Sequence, residues 1–579
     1  MPNLFVRQIG EQSGIQLNPT VDRTDGVAGI GDQTAAIVGS FNRGRMDGRP
    51  FWVDAQTLRA KLGAPVSLAK SLLNEAYLHI YEALRNGAQQ VLVSRLLREE
   101  VTNDYVVIQI DATAGAIQTE TGEPILDGAG DPITMGNTGI ITTAASIASG
   151  FADELAIAFK LLDGINEGFV VRANFDAYDD VDAYVQVSDG DGGFNTTFNP
   201  KSLRLSLEIL DKSNSQVLYR AVGAVHPDSV DEFGQTRYIG NLASDVFVFY
   251  AGNLPDAGYL SAYQDSTMGV MADGTRLFIR QDVEPFDYID TTYTNSELDA
   301  ACNALRYSNE DFGYLMGGGT QSVPLLTRLI DLAYHTETLL AIDAPSNKDE
   351  EEAITWVTGL NVDNFLISCY WTPLRCDEPL NGGKASWGSS GAQIGLRCNR
   401  NARLNNLGFS PKQNPIAGKD WPLPRTGITQ LRNPSPNQLS NLAKAKINPV
   451  ILDKFSDGSR YTFRDSLSMA RTLISKKKLI TVAEMSAHLN QMIVRIIKDH
   501  LQKGMTVAIA RSRAQIERLL KNAEASGWLV PSRDPMMLGL TYTLELRPNE
   551  ARPNDWMDVR VAVSFDGVAR VAIIEQTIS

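Results

Sequence analysis

Apolar and polar positions change their period several times along this 579-residue chain, and each change marks an element. Over 68–84 (LAKSLLNEAYLHIYEAL) apolar residues recur at helical spacing and stop at Asn86 and Gly87, which predicts an amphipathic helix with a C-cap. The glycine-and-apolar run 27–38 predicts a buried strand before it, and 90–97 and 105–110 predict strands after it. Strand, helix, strand is the rhythm of an α/β layer. From 111 to 300 the texture becomes Gly/Thr/Asp-rich turns between short runs such as LRLSLEIL, QVLYRAV and DVFVFY, which predicts a β-rich, outward-facing insertion. The α/β rhythm returns in TLLAIDAPSN, a strand ending in Asp343, followed by a helix over 350–360 and a strand over 364–371. Further on, 473–525 predicts a basic amphipathic pair of helices, and LTYTLELRP (540–548) with MDVRVAVSFDG (557–567) predicts a small sheet. LFVRQI (4–9) and VARVAIIEQTI (568–578) are β-prone and sit beyond any self-contained domain, as arms do.

Charge changes this picture because it is unevenly spread. The net charge is −15, yet 444–524 alone carries +9 and the first 440 residues −22. A basic module on an acidic body points to a charged partner on one face; the plainer alternative is a solvated helix face. An apolar fraction of 43% with 21% charged residues is that of a globular chain, and its length implies three or four domains. No apolar run approaches the ~20 residues of a membrane helix, and the start lacks the apolar stretch of a secretion signal. Cys302, Cys369, Cys376 and Cys398 suit buried thiols in a reducing cytoplasm better than disulfides or zinc ligands, because their spacings are wide.

Candidate chemistry is sparse. His79 is a lone histidine on the first helix and reads as structural. The Asp-Gly run around Asp189 and Asp191, with Asp179, Asp180 and Asp182, lacks the closing glutamate of a calcium loop and reads as a solvated turn. Gly317, Gly318 and Gly319 precede a helix, the shape of a phosphate cradle, without the lysine or spacing of one. Asp343, at the end of its strand, lies where open α/β sheets place ligands, but no motif positions a base or second carboxylate beside it. Neither HExxH nor GxSxG occurs. An α/β hydrolase or transferase with a site near Asp343 is the enzyme alternative; a nucleic-acid binder using the 476–521 basic patch is another, opposed by the acidic body and missing motifs.

Four segments, in order, carry a resemblance: AIDAPSN (341–347); Ser389-Ser390-Gly391-Ala392-Gln393-Ile394-Gly395 running on to ARLNNLGFSPKQNPIAG; KINPVILDKFSDGSRYTFRDSLSMARTL (446–473); and the helices at 484–503 and 512–525. Together they resemble the contractile tail sheath family of myophage tails, R-type pyocins and type VI secretion sheaths. Ser468-Met469 stands where the family usually has Trp-Gly, and VAIARSRAQ replaces its variable segment after the first helix.

The resemblance implies a mixed α/β (α+β) multidomain fold: a sheath core of α/β layers, a β-rich inserted domain and a C-terminal α+β domain bearing extended terminal arms. The boundaries read as an N-terminal arm over 1–25, core over 26–110, insertion over 111–300, core over 301–440, C-terminal domain over 441–567 and arm strand over 568–579. A structural, non-enzymatic subunit without cofactor or metal is implied, which polymerises helically around an inner tail tube and contracts to drive it through the host envelope. Its implied partners are itself, the inner tail tube protein, and baseplate and tail terminator proteins, with no nucleic acid and no membrane insertion. It would be assembled in the bacterial host cytoplasm and carried on the virion tail. Expected inter-subunit arm residues are Phe5, Val6, Ile9, Val568, Val571, Ile573 and Ile578. Expected inner-tube contacts are Lys476, Lys477, Lys478, Arg511, Arg513, Arg518 and Lys521.

Overall fold

The structure is a computed structural model and describes residues 30–65, 68, 75–98, 105–110, 139–144, 146–147, 156–165, 169–178, 180–181, 184–188, 193–211, 216–251, 279–283 and 293–571. Its residues divide into two compact units, one comprising 1–41, 48–97 and 291–579, the other 42–47 and 98–290.

In chain order the first unit opens with β1 (Thr34–Gly39), β2 (Phe51–Val53), α1 (Glu75–Asn86) and β3 (Gln90–Arg95). The second unit supplies β4 (Tyr105–Ile110), β5 (Gly139–Ala144), β6 (Ala156–Leu161), β7 (Phe169–Ala177), β8 (Tyr184–Ser188), β9 (Phe194–Phe198), β10 (Leu203–Asp211), β11 (Val217–Ala224), β12 (Phe247–Ala251) and β13 (Ile279–Val283). Back in the first unit follow α2 (Asn295–Arg306), β14 (Tyr314–Met316), α3 (Val323–Thr336), β15 (Leu339–Ala344), α4 (Glu350–Gly359), β16 (Ile367–Trp371), α5 (Ser390–Asn401), α6 (Pro436–Lys444), β17 (Ile447–Phe455) and β18 (Gly458–Phe463). The chain then forms α7 (Ile480–Lys498), α8 (Met505–Ala525), β19 (Tyr542–Pro548) and β20 (Met557–Val563).

The first unit is built on an eight-stranded sheet in the order β18-β17-β16-β15-β14-β1-β3-β2, parallel throughout except for the antiparallel edge strands β18 and β2. Parallel strands covered on both faces read as unbroken apolar runs, and β1, β15 and β16 are buried along their whole length. Alternate residues serve opposite layers: Ala35 and Ile37 pack with α1 and α5, Ala36 and Val38 with α2 and α3. Three helices are started by reciprocal capping boxes, Thr294 with Glu297, Asp349 with Glu352 and Ser435 with Gln438.

The second unit stacks the antiparallel sheet β12-β6-β4-β5 on a second, β11-β10-β7-β13, with Ile108, Ile157 and Phe159 facing Phe169, Val171, Leu205 and Leu207. Tyr105–Ile110, which by sequence continued the first α/β unit, pairs with β5 and β6 here. β17 and β18, expected to open a separate C-terminal domain, are the last two strands at one end of the eight-stranded sheet. All four cysteines are buried and unpaired. No helix among the described residues is long and apolar enough to cross a membrane.

Candidate functional site: a two-stranded hairpin beside a basic helix

At the C-terminal end of the first unit, two helices carry an incomplete sheet. The sequence pattern predicts an amphipathic α7, whereas the helix is buried almost all round. Ile480, Ala483 and Ala487 pack towards the eight-stranded sheet, while Met485, Leu489, Met492 and Ile493 pack into a second apolar cluster with α8. The reason is position: α7 is shared between two cores, which a single stripe of apolar residues cannot serve. Trp528 closes that second cluster, edge-on to Phe409 at 4.9 Å and donating from Nε1 to the Ser410 carbonyl at 2.9 Å.

Polar side chains pin α7 from the sheet side. Glu484 Oε1 accepts from Arg400 Nη2 at 2.8 Å and from the Tyr314 hydroxyl at 2.8 Å, with the Arg397 guanidinium at 4.0 Å. Burial alone would raise the Glu484 pKa; Arg400 and Arg397 outweigh it and hold the carboxyl below its ordinary value. Asp32 accepts from Lys412 Nζ at 2.8 Å and lies 3.1 Å from His488 Nδ1, so the chain just after the N-terminal 29 residues is tied to the same helix. Burial pulls the His488 pKa down, the nearby Lys412 ammonium adds to that, and Asp32 opposes both.

β19 and β20 form a sheet of only two strands, and no strand flanks either outer edge among the described residues. Met557, Val559, Val561 and Val563 turn one face of β20 towards the helices but remain half-exposed, whereas Arg560 and Ala562 face outwards. A groove of about 2060 Å³ runs along this face, lined by Val482, Leu489, Ile493 and Val494 of α7 and by Val559 and Val561. A two-stranded sheet is marginal on its own, and an open edge invites a further strand.

The basic residues sort into two groups. On α8, Val507, Arg511, Ala514, Arg518 and Lys521 recur at alternating steps of four and three and form one exposed stripe. Arg513 lies off it and donates to the Leu546 carbonyl of β19 at 2.9 Å. Lys476, Lys477 and Lys478 form a 3₁₀ turn before α7 and each has an internal contact: Lys476 with the Phe565 carbonyl, Lys477 over the Phe365 ring at 5.4 Å, and Lys478 with the Leu473 carbonyl at 2.7 Å. Of the expected arm residues, Val568 packs partly against the α7–α8 cluster and Val571 is 81% exposed; Phe5, Val6, Ile9, Ile573 and Ile578 lie outside the described residues.

The places where an α/β enzyme would keep its site are filled by protein. The strand order reverses between β1 and β14, the position where such sheets hold ligands. There Glu75 and Ala76 of α1 press on the Gly317–Gly319 turn, so closely that a Cβ on Gly319 would lie 2.2 Å from the Glu75 carboxyl carbon. Asp343 is buried and accepts from the Ser389 and Ser390 amides at 2.7 and 3.0 Å. Sequence reasoning found no partner for it, but the fold brings His79 Nε2 to 3.7 Å from its Oδ2. The i, i+4 spacing of Glu75 and His79 is the one local signal in the sequence that could point to this cluster. Of the aspartates considered for calcium, Asp180 is engaged by Arg237 at 2.9 Å; Asp179, Asp182, Asp189 and Asp191 lie outside the described residues. Among the described residues no cluster of His, Cys, Asp and Glu is arranged to hold a metal.

No protein-family model and no curated protein matches the chain. Among solved structures it is similar to a sheath tail protein from Listeria innocua, at 10% identity and a TM-score of 0.47, covering 92% of this chain and 95% of that one. It is similar to a sheath tail protein from Desulfitobacterium hafniense at 10% identity and a TM-score of 0.44, covering 93% and 92%. The sheath of an extracellular contractile injection system in its contracted state aligns at 14% identity and a TM-score of 0.37, over 48% of this chain and 74% of that one. The chain is similar to contractile sheath proteins, the family that its sequence segments resemble.

Proposed function

We propose that this chain is the structural subunit of a contractile tail sheath. It polymerises helically around an inner tube by exchanging terminal strands between copies, then contracts to drive that tube through a host envelope. The observation that carries the reading is the two-stranded hairpin with open edges beside a groove lined by both apolar and polar side chains. Strand addition takes affinity from main-chain hydrogen bonds and specificity from alternate side-chain pockets. The β-prone segments at 4–9 and 568–578 are candidate donors to a neighbour's β19–β20 hairpin.

The α8 stripe of Arg511, Arg518 and Lys521 suits an acidic surface on the inner tube. Exposed ion pairs contribute only about 0–1 kcal/mol each and weaken with salt. Contacts of that strength can be released together during contraction while main-chain strand pairing persists. The energy for contraction would then come from repacking of a metastable lattice, a bistable element that consumes no nucleotide. Baseplate and terminator proteins would close the two ends, with assembly in the bacterial cytoplasm and the finished particle on a virion tail. The enzyme reading near Asp343 is the less favoured one, since one oxygen of that buried carboxylate accepts two backbone amides and the neighbouring crevice is packed.

Sedimentation of the full chain beside chains lacking 1–25 or 568–579 tests the strand-exchange step. Very large species from the full chain and small ones from each deletion are expected. Identical sedimentation of all three would overturn the exchange.

A further inference from the structure

His79 sits at the meeting point of three elements. From α1, Glu75 and Glu82 face it; from β15, Asp343; from α5, the amino-terminal amides. Arg425 is the nearby cation, paired with both Glu82 oxygens at 2.6 and 2.8 Å and donating to the Trp387 and Gly388 carbonyls. The Gly391 amide donates to His79 Nδ1 at 3.0 Å, and Ser390 Oγ lies 3.1 Å from the same nitrogen. Nε2 makes no hydrogen bond, yet faces Glu75 Oε1 at 3.6 Å and Asp343 Oδ2 at 3.7 Å; Asp343 Oδ2 is likewise unpartnered. Both His79 and Asp343 are at least 97% buried. Two carboxylates and the amides of a helix start thus converge on one imidazole.

The packing around it leaves little slack. His79, Ala83 and Gly87 on one side meet Gly391, Gly395 and Asn399 on the other, each set spaced by four, and a Cβ on Gly391 would lie 2.3 Å from the His79 carbonyl oxygen. This contact joins α1, which precedes the 98–290 segment of the second unit in sequence, to α5, which follows it.

We propose that His79 is a proton-operated latch between α1 and α5. In the neutral form Nδ1 accepts from Gly391, and the proton on Nε2 points towards the two carboxylates. Uptake of a proton at Nδ1 turns that nitrogen into a donor: it gives up the Gly391 amide and donates to Ser390 Oγ. Nε2 then holds its proton between two carboxylates as part of a cation. One neutral hydrogen bond is exchanged for a charge-assisted one to Ser390 Oγ, the stronger class, and the cation gains the attraction of the Glu75 and Asp343 carboxylates at 3.6 and 3.7 Å. Burial lowers the pKa of this imidazole, but Asp343, Glu75 and Glu82 outweigh it and hold it above its ordinary value of 6.5. A raised folded-state pKa makes the latch tightest below about 6.5 and loosens it as pH rises through the folded value.

Hydrogen exchange of the full chain, followed by mass spectrometry at several pH values, tests the latch. In the wild-type chain the protection factors of peptides covering 388–401 are expected to rise severalfold from pH 8.5 to 6. In His79→Asn, whose amide oxygen can still accept from Gly391 but cannot titrate there, they are expected to stay level. Asp343→Asn keeps the acceptor for Ser389 and Ser390 while removing the charge, and should abolish most of the rise. A level wild-type profile, or a rise that persists in either variant, would overturn the proposal.

Discussion

Glu484 on α7 and Arg400 on α5 form an ion pair at 2.8 Å with side chains only 2% and 1% exposed. Such a pair is costly to desolvate, and removing one partner strands the other. Glu484→Ala is therefore expected to destabilise the first unit by about 3–5 kcal/mol, read from urea unfolding. Glu484→Gln addresses the charge itself. Because the folded carboxyl titrates below its ordinary 4.5, its contribution is present above that value and fades as pH falls through the lower folded one. The wild-type chain should lose stability across this acid window more steeply than Glu484→Gln. Parallel acid profiles would refute the assignment.

Gly391 has no freedom to accept a side chain. A Cβ there would meet the His79 main chain, not the end of a flexible group, and overpacking of this kind costs about 1–3 kcal/mol. Gly391→Ala should lower the unfolding midpoint accordingly, whereas Gly359→Ala, which meets nothing within 4 Å, should be close to neutral. Equal effects at both positions would count against the α1–α5 interlock.

Trp528 ties the hairpin module to α7, so its loss should be felt locally. Trp528→Ala is expected to cost about 3–5 kcal/mol. Hydrogen exchange should accelerate in α8, β19 and β20 well before it does in β15 and β16. Uniform acceleration would mean that the module has no stability of its own.

Reversing Arg511, Arg518 and Lys521 to glutamate should leave self-association intact and abolish binding to an acidic tube surface. Co-sedimentation with the tube protein at rising salt reads this directly, the wild-type interaction weakening with ionic strength. Loss of both properties, or of neither, would contradict the division between electrostatic and strand-based contacts.

Much of the α/β core was legible because parallel strands buried on both faces are continuous apolar runs, as in LLAIDA of β15. Tyr105–Ile110 carries the same local signal, and pairing partners chosen by tertiary packing placed it in the other unit. The basic composition of 473–525 was visible, but not its division. Arg513 and Lys476 are bound to carbonyls of β19 and the chain after β20, which lie 33 and 89 residues away in sequence. His79 read as a lone histidine because its partners Asp343 and Gly391 are hundreds of residues distant. Composition and period report neighbours along the chain; such clusters depend on neighbours across it.

Electron microscopy of the purified full chain over a range of concentrations tests the central claim most directly. A sheath subunit should form hollow, striated tubes whose reconstruction shows a strand from another copy along an open edge of the β19–β20 hairpin. Discrete monomer-sized particles at every concentration, or tubes in which both hairpin edges stay unpaired, would contradict it.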